Sequence, residues 1–139
     1  MRKLCLDIGS VRIGVARSDY MNIIASPLEV YTRTKSIKND AKYIANLVKE
    51  NEVDEVVVGL PLNMNGTAGP SVEMIKTFVQ ELQNYTDVKI VFQDERLSTV
   101  SAEKILIESN MRRDKRKTVI DKIAATIILQ NYLDKISKR

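Results

Sequence analysis

Three groups of carboxylates occupy positions where a solubilising charge is not expected. Asp7 lies in an apolar stretch near the start of the chain, and Asp94 and Glu95 follow another apolar stretch that ends at Phe92. Asp121 has the helical spacing that places it on one face with alanines and large apolar side chains. A carboxylate in such surroundings needs a partner or a bound ion, because burying an unpaired charge is costly. These acids are therefore candidates for chemistry.

Each acid also has a structural interpretation. Asp7 would cap the turn that follows it, and the other acids would stabilise the first turn of a helix. Consecutive residues at the end of a strand point to opposite sides, so only one of Asp94 and Glu95 is expected to reach a shared site. Arg96 would neutralise either acid or hold a substrate phosphate.

Composition narrows the chemistry that these acids could perform. The 139 residues include no histidine and one cysteine, Cys5. This excludes Ser-His and Cys-His nucleophile pairs, the HExxH zinc helix, an imidazole general base, an internal disulfide and a structural zinc site. Any catalysis must therefore use carboxylates, amines, hydroxyls or bound ions.

Bound cations would let the acids work together. An acid on the first strand, one at the end of a later parallel strand and one on the final helix are expected to converge over a sheet, where they would repel each other without cations. Mg²⁺ favours oxygen ligands and needs few protein carboxylates when substrate phosphates complete its shell. Two such ions about 4 Å apart would activate water and stabilise the leaving oxygen of a phosphodiester.

The elements that must position the acids follow from hydrophobic periodicity. The pattern predicts strands at residues 4–8, 11–16, 23–31, 56–58 and 88–92, and helices at residues 36–51, 70–84, 99–108 and 118–136. This order predicts an α/β fold with a mixed five-stranded sheet, a three-strand antiparallel meander plus two parallel strands, flanked by helices. With no repeat and no linker, we expect one domain over residues 1–139.

Two details of the predicted sheet concern the site. Strand alternation puts Asp7 on the same face as Cys5, opposite Leu4, Leu6 and Ile8. In the third strand, Pro27 indicates an edge position or a bulge, because proline cannot donate to a strand ladder.

Charge is distributed unevenly along the chain. The net charge is +4, but residues 1–103 sum to −2 and residues 104–139 to +6. The excess peaks in a basic segment, which contains Arg112, Arg113, Lys115, Arg116 and Lys117. Such a segment would contact nucleic-acid phosphates, or it would be a solvated loop between the last two helices. Charge alone slightly favours the loop.

Targeting and membrane signals are not apparent in the sequence. Charged residues interrupt the start of the chain, and apolar runs such as residues 56–58 and 127–129 are far too short to cross a bilayer. A single cysteine suits a reducing interior. We therefore expect a cytoplasmic protein with no membrane association.

Four stretches resemble the motifs of one family. Residues 7–16, DIGSVRIGVA, are similar to the first-strand signature of the YqgF (RuvX) family, and residues 59–67, GLPLNMNGT, to its central GLPLNMDGT motif. Residues 94–99, DERLST, match a third motif, and Asp121 with Ala124 and Ala125 match its final D-x-x-A-A. The motifs occur in the family's order over the whole chain. One departure is Asn65, where the family often has Asp.

The resemblance implies a ribonuclease H-like fold, shared with the RuvC junction resolvases, and a nuclease that matures the 5′ end of precursor 16S ribosomal RNA. It implies that Asp7, Glu95 and Asp121 are the catalytic acids and bind Mg²⁺ or Mn²⁺. Asp94 and Arg96 would then lie beside the site or contact substrate. Precursor ribosomal RNA is the favoured partner, with possible ribosome-assembly contacts, and branched DNA is the alternative.

Two other function classes stay open on the sequence. One is a nucleic-acid-binding or ribosome-assembly factor without catalysis, which would bind precursor RNA in a salt-sensitive way and never cleave it. The other is a sugar-kinase-like ATPase, since residues 7–9 also resemble that superfamily's phosphate loop. The chain is too short for the two lobes of such a kinase. Backbone contacts by the basic segment would not distinguish RNA from DNA.

Overall fold

A computed structural model describes residues 1–61, 69–94 and 113–137, with side chains in the last range from Ile123 onward. Five strands form one sheet: β1 (Arg2–Ile8), β2 (Arg12–Ser18), β3 (Ala25–Thr32), β4 (Val53–Leu60) and β5 (Lys89–Asp94). Three helices are described: α1 (Ile37–Glu50), α2 (Pro70–Leu82) and α3 (Arg113–Ser137).

The sheet has the predicted mixed topology. Its strand order is β3-β2-β1-β4-β5, with β1, β2 and β3 antiparallel and β4 parallel to both β1 and β5. The β1–β2 connection is a short turn, whereas the segments before β4 and β5 contain α1 and α2, as parallel crossovers require. The predicted fold class is confirmed.

Each face of the sheet packs against its own helices. On one face Leu4, Leu6 and Ile8 join the buried side chains of α1 and α2 in a single apolar cluster. On the other face Cys5 and its sheet neighbours pack against α3 in a second cluster, whose helical members are Ala125, Ile128, Leu129, Tyr132 and Leu133. Val56 to Val58 are fully buried, as a strand covered on both faces requires.

The proline in β3 has both of the features that its chemistry predicts. β3 is an edge strand, and its register against β2 shifts so that Val15 pairs with Glu29 but Ala16 pairs with Pro27. The extra residue, Leu28, forms a bulge at that point. An edge position and a bulge both spare proline from donating to a ladder.

The start of the last helix differs from the prediction. α3 begins at Arg113 rather than near residue 118, so Arg113, Lys115, Arg116 and Lys117 belong to the helix and not to a loop before it. Arginine and lysine are good helix formers, and Asp114 suits a first turn, where the helix dipole favours negative charge. Apolar periodicity carried no information about this polar end.

The helix predicted at residues 99–108 lies outside the described residues. No helix in the described part of the chain combines the length and apolar composition needed to cross a bilayer.

Candidate active site

Asp7 lies near the carboxyl end of the central strand β1, on the face that α3 covers. Its neighbours Leu6 and Ile8 belong to the cluster on the opposite face, and Cys5 belongs to the α3 cluster. The predicted alternation is therefore confirmed. Asp7 is half-buried and pairs across the ladder with Gly14, which contributes no side chain. Its carboxylate is thus directed to the face that α3 covers, without being fully removed from solvent.

Asp94 closes β5 on the other face of the sheet. It pairs with Leu60, and two residues earlier Phe92 pairs with Val58, which belongs to the cluster under α1 and α2. Alternation along β5 therefore directs the exposed Asp94 away from the face that carries Asp7. Glu95 and Arg96 follow it in the chain and lie outside the described residues, as do residues 62–68 of the central motif and Arg112.

Asp121 is on α3, the helix that covers the Asp7 face; its backbone is placed and its side chain is not described. Ala124 and Ala125 are both buried, and Ala125 packs in the cluster that contains Cys5. Small side chains at these positions let the helix backbone approach the sheet closely. The structure therefore brings the Asp121 segment and Asp7 to the same side of the sheet.

The carboxyl-terminal part of α3 is fixed to the opposite end of the sheet by a buried carboxylate. Tyr132 Oη donates to Glu55 Oε1 at 2.5 Å, and Glu55 is 6% exposed. Lys3 and Lys89 flank Glu55 on the neighbouring strands, with Nζ–O distances of 3.8 and 3.3 Å. Two cations and a hydroxyl donor compensate the buried charge, which sets the position of α3 along the sheet.

A second anchor holds α3 to the β2–β3 connection. Gln130 Nε2 donates to the carbonyl of Ile23 at 2.9 Å, and Gln130 Oε1 accepts from the amide of Ala25 at 2.9 Å. This paired contact satisfies the backbone where β3 begins. Together with Tyr132 it fixes both the rotation and the translation of the helix.

Arg12 is a further candidate residue of the site, to which the sequence pattern assigned no role. It begins β2 on the same face as Ala16, hence on the Asp7 face, diagonally across the ladder from Asp7. Diagonal neighbours are within reach of a long side chain. Strand alternation from Ile13 and Val15 would have revealed this placement, because both are apolar and Arg12 is not.

The donor set suits a hard divalent cation. Of the three proposed ligands, Asp7 alone has a described side chain, and carboxylate oxygens are what Mg²⁺ and Mn²⁺ prefer. Within the described residues no three His, Cys, Asp or Glu side chains form a metal-sized group. Glu95 and the Asp121 side chain are outside that search.

Comparison with known proteins covers almost the whole chain. The model of the family described as "RuvX: Holliday junction resolvase" matches residues 1–135. A protein of Carboxydothermus hydrogenoformans named "Putative pre-16S rRNA nuclease" is 52% identical over 138 residues, covering 99% of each chain. A protein of the same name from Halalkalibacterium halodurans is 49% identical over 136 residues, covering 97% of each.

Solved structures of low sequence identity share the fold. Thermus thermophilus RuvC in complex with a Holliday junction substrate superposes with a TM-score of 0.56 at 11% identity, covering 98% of this chain and 96% of that one. The human cytomegalovirus terminase nuclease domain superposes with a TM-score of 0.54 at 13% identity, covering 97% and 83%. The ribonuclease H-like fold is thus confirmed, and the family match with the close relatives shows that this chain belongs to the RuvX family.

Proposed function

We propose that this protein is a metal-dependent endonuclease that hydrolyses phosphodiesters during 5′-end maturation of precursor 16S ribosomal RNA. The observation that carries the proposal is the position of Asp7, a half-buried carboxylate at the end of the central strand beneath the helix that carries Asp121. The names of the close relatives supply the substrate. Such an activity would operate in the cytoplasm, where ribosomes assemble.

The dimensions of β1 and α3 support convergence of Asp7 and Asp121. Asp7 is four residues along β1 from Lys3, the level of the Glu55 anchor, which is about 13 Å of strand. Asp121 is eleven residues before Tyr132, which is about 16 Å of helix and close to three full turns. Going back along α3 from Tyr132 leads over the Cys5 cluster toward the Asp7 end. Both acids are then at a similar level.

The position of Asp94 supports Glu95 as the third ligand. Asp94 is directed to the face opposite Asp7, and strand alternation gives the next residue the opposite direction. We therefore assign metal binding to Asp7, Glu95 and Asp121, and give Asp94 no direct contact with the ion. Arg96 and Arg12 are the cations that would hold substrate phosphates beside these acids.

The mechanism divides between the ion and the chain. When bound, Mg²⁺ or Mn²⁺ would supply Lewis acidity, which lowers the pKa of water and offsets charge on the scissile phosphate. The carboxylates of Asp7, Glu95 and Asp121 would hold the ion, and the Arg12 guanidinium would donate to a phosphate oxygen of the substrate. The sheet and α3 keep Asp7 partly screened from bulk water, which strengthens these electrostatic contacts.

The proposed function has a direct test in the exchange of one carboxylate for an amide. Asp7→Asn should reduce Mg²⁺- or Mn²⁺-dependent cleavage of precursor 16S RNA by at least about a hundredfold. The amide is uncharged and coordinates a hard divalent cation more weakly than a carboxylate does. Asp87→Asn, at an exposed acid, is the matched control and should cleave at the wild-type rate. Equal cleavage by Asp7→Asn and wild type would contradict the site assignment.

The family description also makes a four-way DNA junction a substrate to compare. Precursor RNA and a synthetic junction are offered to the same enzyme at equal concentration. Preferential cleavage of RNA supports maturation, and preferential cleavage of the junction supports a resolvase. Salt-sensitive binding of RNA with no cleavage under any divalent ion supports a non-catalytic assembly factor.

A further inference from the structure

Asp40 on α1 is a fully buried carboxylate with a complete set of donors. It is 0% exposed. Its Oδ1 accepts from Tyr31 Oη at 2.8 Å, and from the backbone amide and the hydroxyl of Thr34 at 2.9 Å each. Its Oδ2 accepts from Arg33 Nε at 3.2 Å. Residues from α1, β3 and the segment between them thus meet at one charged group.

Arg33 carries this network to the turn between β1 and β2. Its Nη1 donates to the carbonyl of Gly9 at 3.1 Å, and its backbone amide donates to the carbonyl of Val11 at 2.8 Å. The guanidinium also lies 5.3 Å from the ring centroid of Phe78 on α2. One arginine therefore holds two carbonyls of a three-residue turn from the side opposite α3.

The turn that Arg33 holds connects Asp7 on β1 with Arg12 on β2, the two candidate residues on the α3 face of the sheet. Asp7 lies two residues before Gly9, and Arg12 directly follows the turn. Gly9 N donates to Arg12 O at 2.8 Å, and a Cβ on Gly9 would lie 2.8 Å from that same oxygen. The turn is therefore close-packed, and a displacement of Gly9 would move both Asp7 and Arg12.

Burial of the pair argues for a positioning role. The Arg33 side chain is 12% exposed, so it does not reach out to a substrate. A buried ion pair is seldom more stabilising than apolar side chains of the same size, and its geometry instead favours one conformation over others. Mutation of groups that orient the ligands of a metal ion often changes metal affinity or activity about 10–100-fold.

We propose that the Asp40–Arg33 pair is a positioning clamp, which fixes the Gly9 turn and thereby the placement of Asp7 and Arg12 in the site. The metal-binding part of this inference rests on the proposed function. The clamp itself is a statement about the turn and is measured without any nuclease assay.

The test uses a double variant that leaves no unpaired buried charge. Arg33→Gln with Asp40→Asn removes both charges and retains hydrogen-bonding groups, whereas either single change would leave the other charge uncompensated. Arg33→Lys is the second variant, since it keeps the positive charge and loses the planar guanidinium that donates both to Asp40 and to the Gly9 carbonyl. Tyr31→Phe is the matched control, because it removes one donor to Asp40 and leaves the Arg33 contacts in place.

Amide hydrogen exchange measures directly how firmly the Gly9 turn is held. The Gly9 amide should exchange at least about tenfold faster in the double variant and in Arg33→Lys, relative to core amides of β4, and should stay near the wild-type rate in Tyr31→Phe. A purely structural role would accelerate β4 and Gly9 together. Unchanged Gly9 exchange in the double variant, or equal acceleration throughout, overturns the clamp.

Mn²⁺ titration, followed by the electron paramagnetic resonance of the free ion, reads the consequence for the site. The double variant should bind Mn²⁺ about tenfold more weakly than wild type, with Tyr31→Phe unchanged. Wild-type affinity in a variant whose Gly9 exchange is accelerated would separate the turn from the site and overturn the link to Asp7. If wild type itself binds no Mn²⁺, the proposed function fails, and the exchange result alone decides the clamp.

Discussion

The position of each acid along its strand decides which face it reaches. Asp7 and Asp94 both stand near the carboxyl ends of strands that run in the same direction, yet alternation sends them to opposite faces. One residue of register therefore separates a carboxylate that can meet α3 from one that cannot. This is the physical reason to prefer Glu95 to Asp94 as a metal ligand.

Asp40 should make the protein's stability depend on pH. Burial alone would raise the pKa of Asp40, but hydrogen bonds from Thr34, Tyr31 and Arg33 outweigh burial and lower that pKa below its usual value. A lowered pKa in the folded state contributes stability that is present above the unfolded value, about 3.9, and is lost as pH falls through the folded value.

Denaturant unfolding of wild type and Asp40→Asn between neutral pH and the acid limit measures this contribution. At neutral pH the variant should be less stable by about 3–5 kcal/mol, because Arg33 is left buried without its counter-charge. The difference should shrink as pH falls below about 4, where Asp40 protonates in the unfolded state, and should be lost as pH falls through the lowered pKa of the folded state. Asp87→Asn should run parallel to wild type. A difference that is constant with pH would contradict the assignment.

The sequence predicted the sheet face on which Asp7 lies but not the residues that support its position. Leu4, Leu6 and Ile8 form a local alternation, and a local pattern is enough to orient one strand. Arg33 and Asp40 are seven residues apart, in a loop and a helix. In the sequence, each has the appearance of an ordinary exposed charge. Their pairing depends on how α1 packs on the sheet, which no local pattern encodes.

The helix α3 carries Asp121 in its amino-terminal half and is fixed to the sheet by Tyr132 and Gln130 in its carboxyl-terminal half. Because a helix is rigid over this length, anchors at its carboxyl-terminal half determine where its amino-terminal half lies. The Glu55 anchor is therefore expected to affect the site at a distance.

Tyr132→Phe tests this anchor with a loss of one hydroxyl. The variant should unfold more easily by about 1–2 kcal/mol in urea, because buried Glu55 loses a donor, and α3 amides should exchange faster. Tyr43→Phe is the matched control: Tyr43 Oη also donates to a carboxylate, Glu29 Oε2 at 2.7 Å, but at an exposed position. That loss should cost less than about 0.5 kcal/mol. Equal effects would mean that burial of Glu55 is unimportant.

The element order was predictable, but the boundaries were less so: β4 spans Val53–Leu60 rather than residues 56–58, and α3 begins at Arg113 rather than near residue 118. Apolar β-branched runs and helical spacing identify all the described elements, because each must bury one face or both. The first turns of α3 are basic and polar, so they have no apolar face to detect. Their helical state comes from intrinsic propensity and from continuity with the buried turns that follow.

The helical state of the basic segment determines how its positive charges can contact nucleic acid. Arg113 and Lys117 are eight and four residues before Asp121, a spacing that puts the three positions on one stripe of a helix. They lie about 12 and 6 Å of helix axis from Asp121. We therefore expect the excess positive charge of the carboxyl-terminal quarter to extend the site along α3, rather than to form a separate loop.

This arrangement predicts a defined salt dependence of RNA binding. Arg113→Gln with Lys117→Gln should weaken binding of precursor RNA and lower the slope of log affinity against log salt by about 1.4–1.8, since each lost phosphate contact releases fewer counterions. Lys38→Gln with Lys76→Gln removes the same charge from α1 and α2 on the opposite face. Fluorescence anisotropy over a range of KCl concentrations, in an Asp7→Asn background to prevent cleavage, measures both slopes. Because both double variants have the same net charge, equal slopes would mean that binding responds to total charge, and only a smaller slope for the α3 variant places the RNA along that helix.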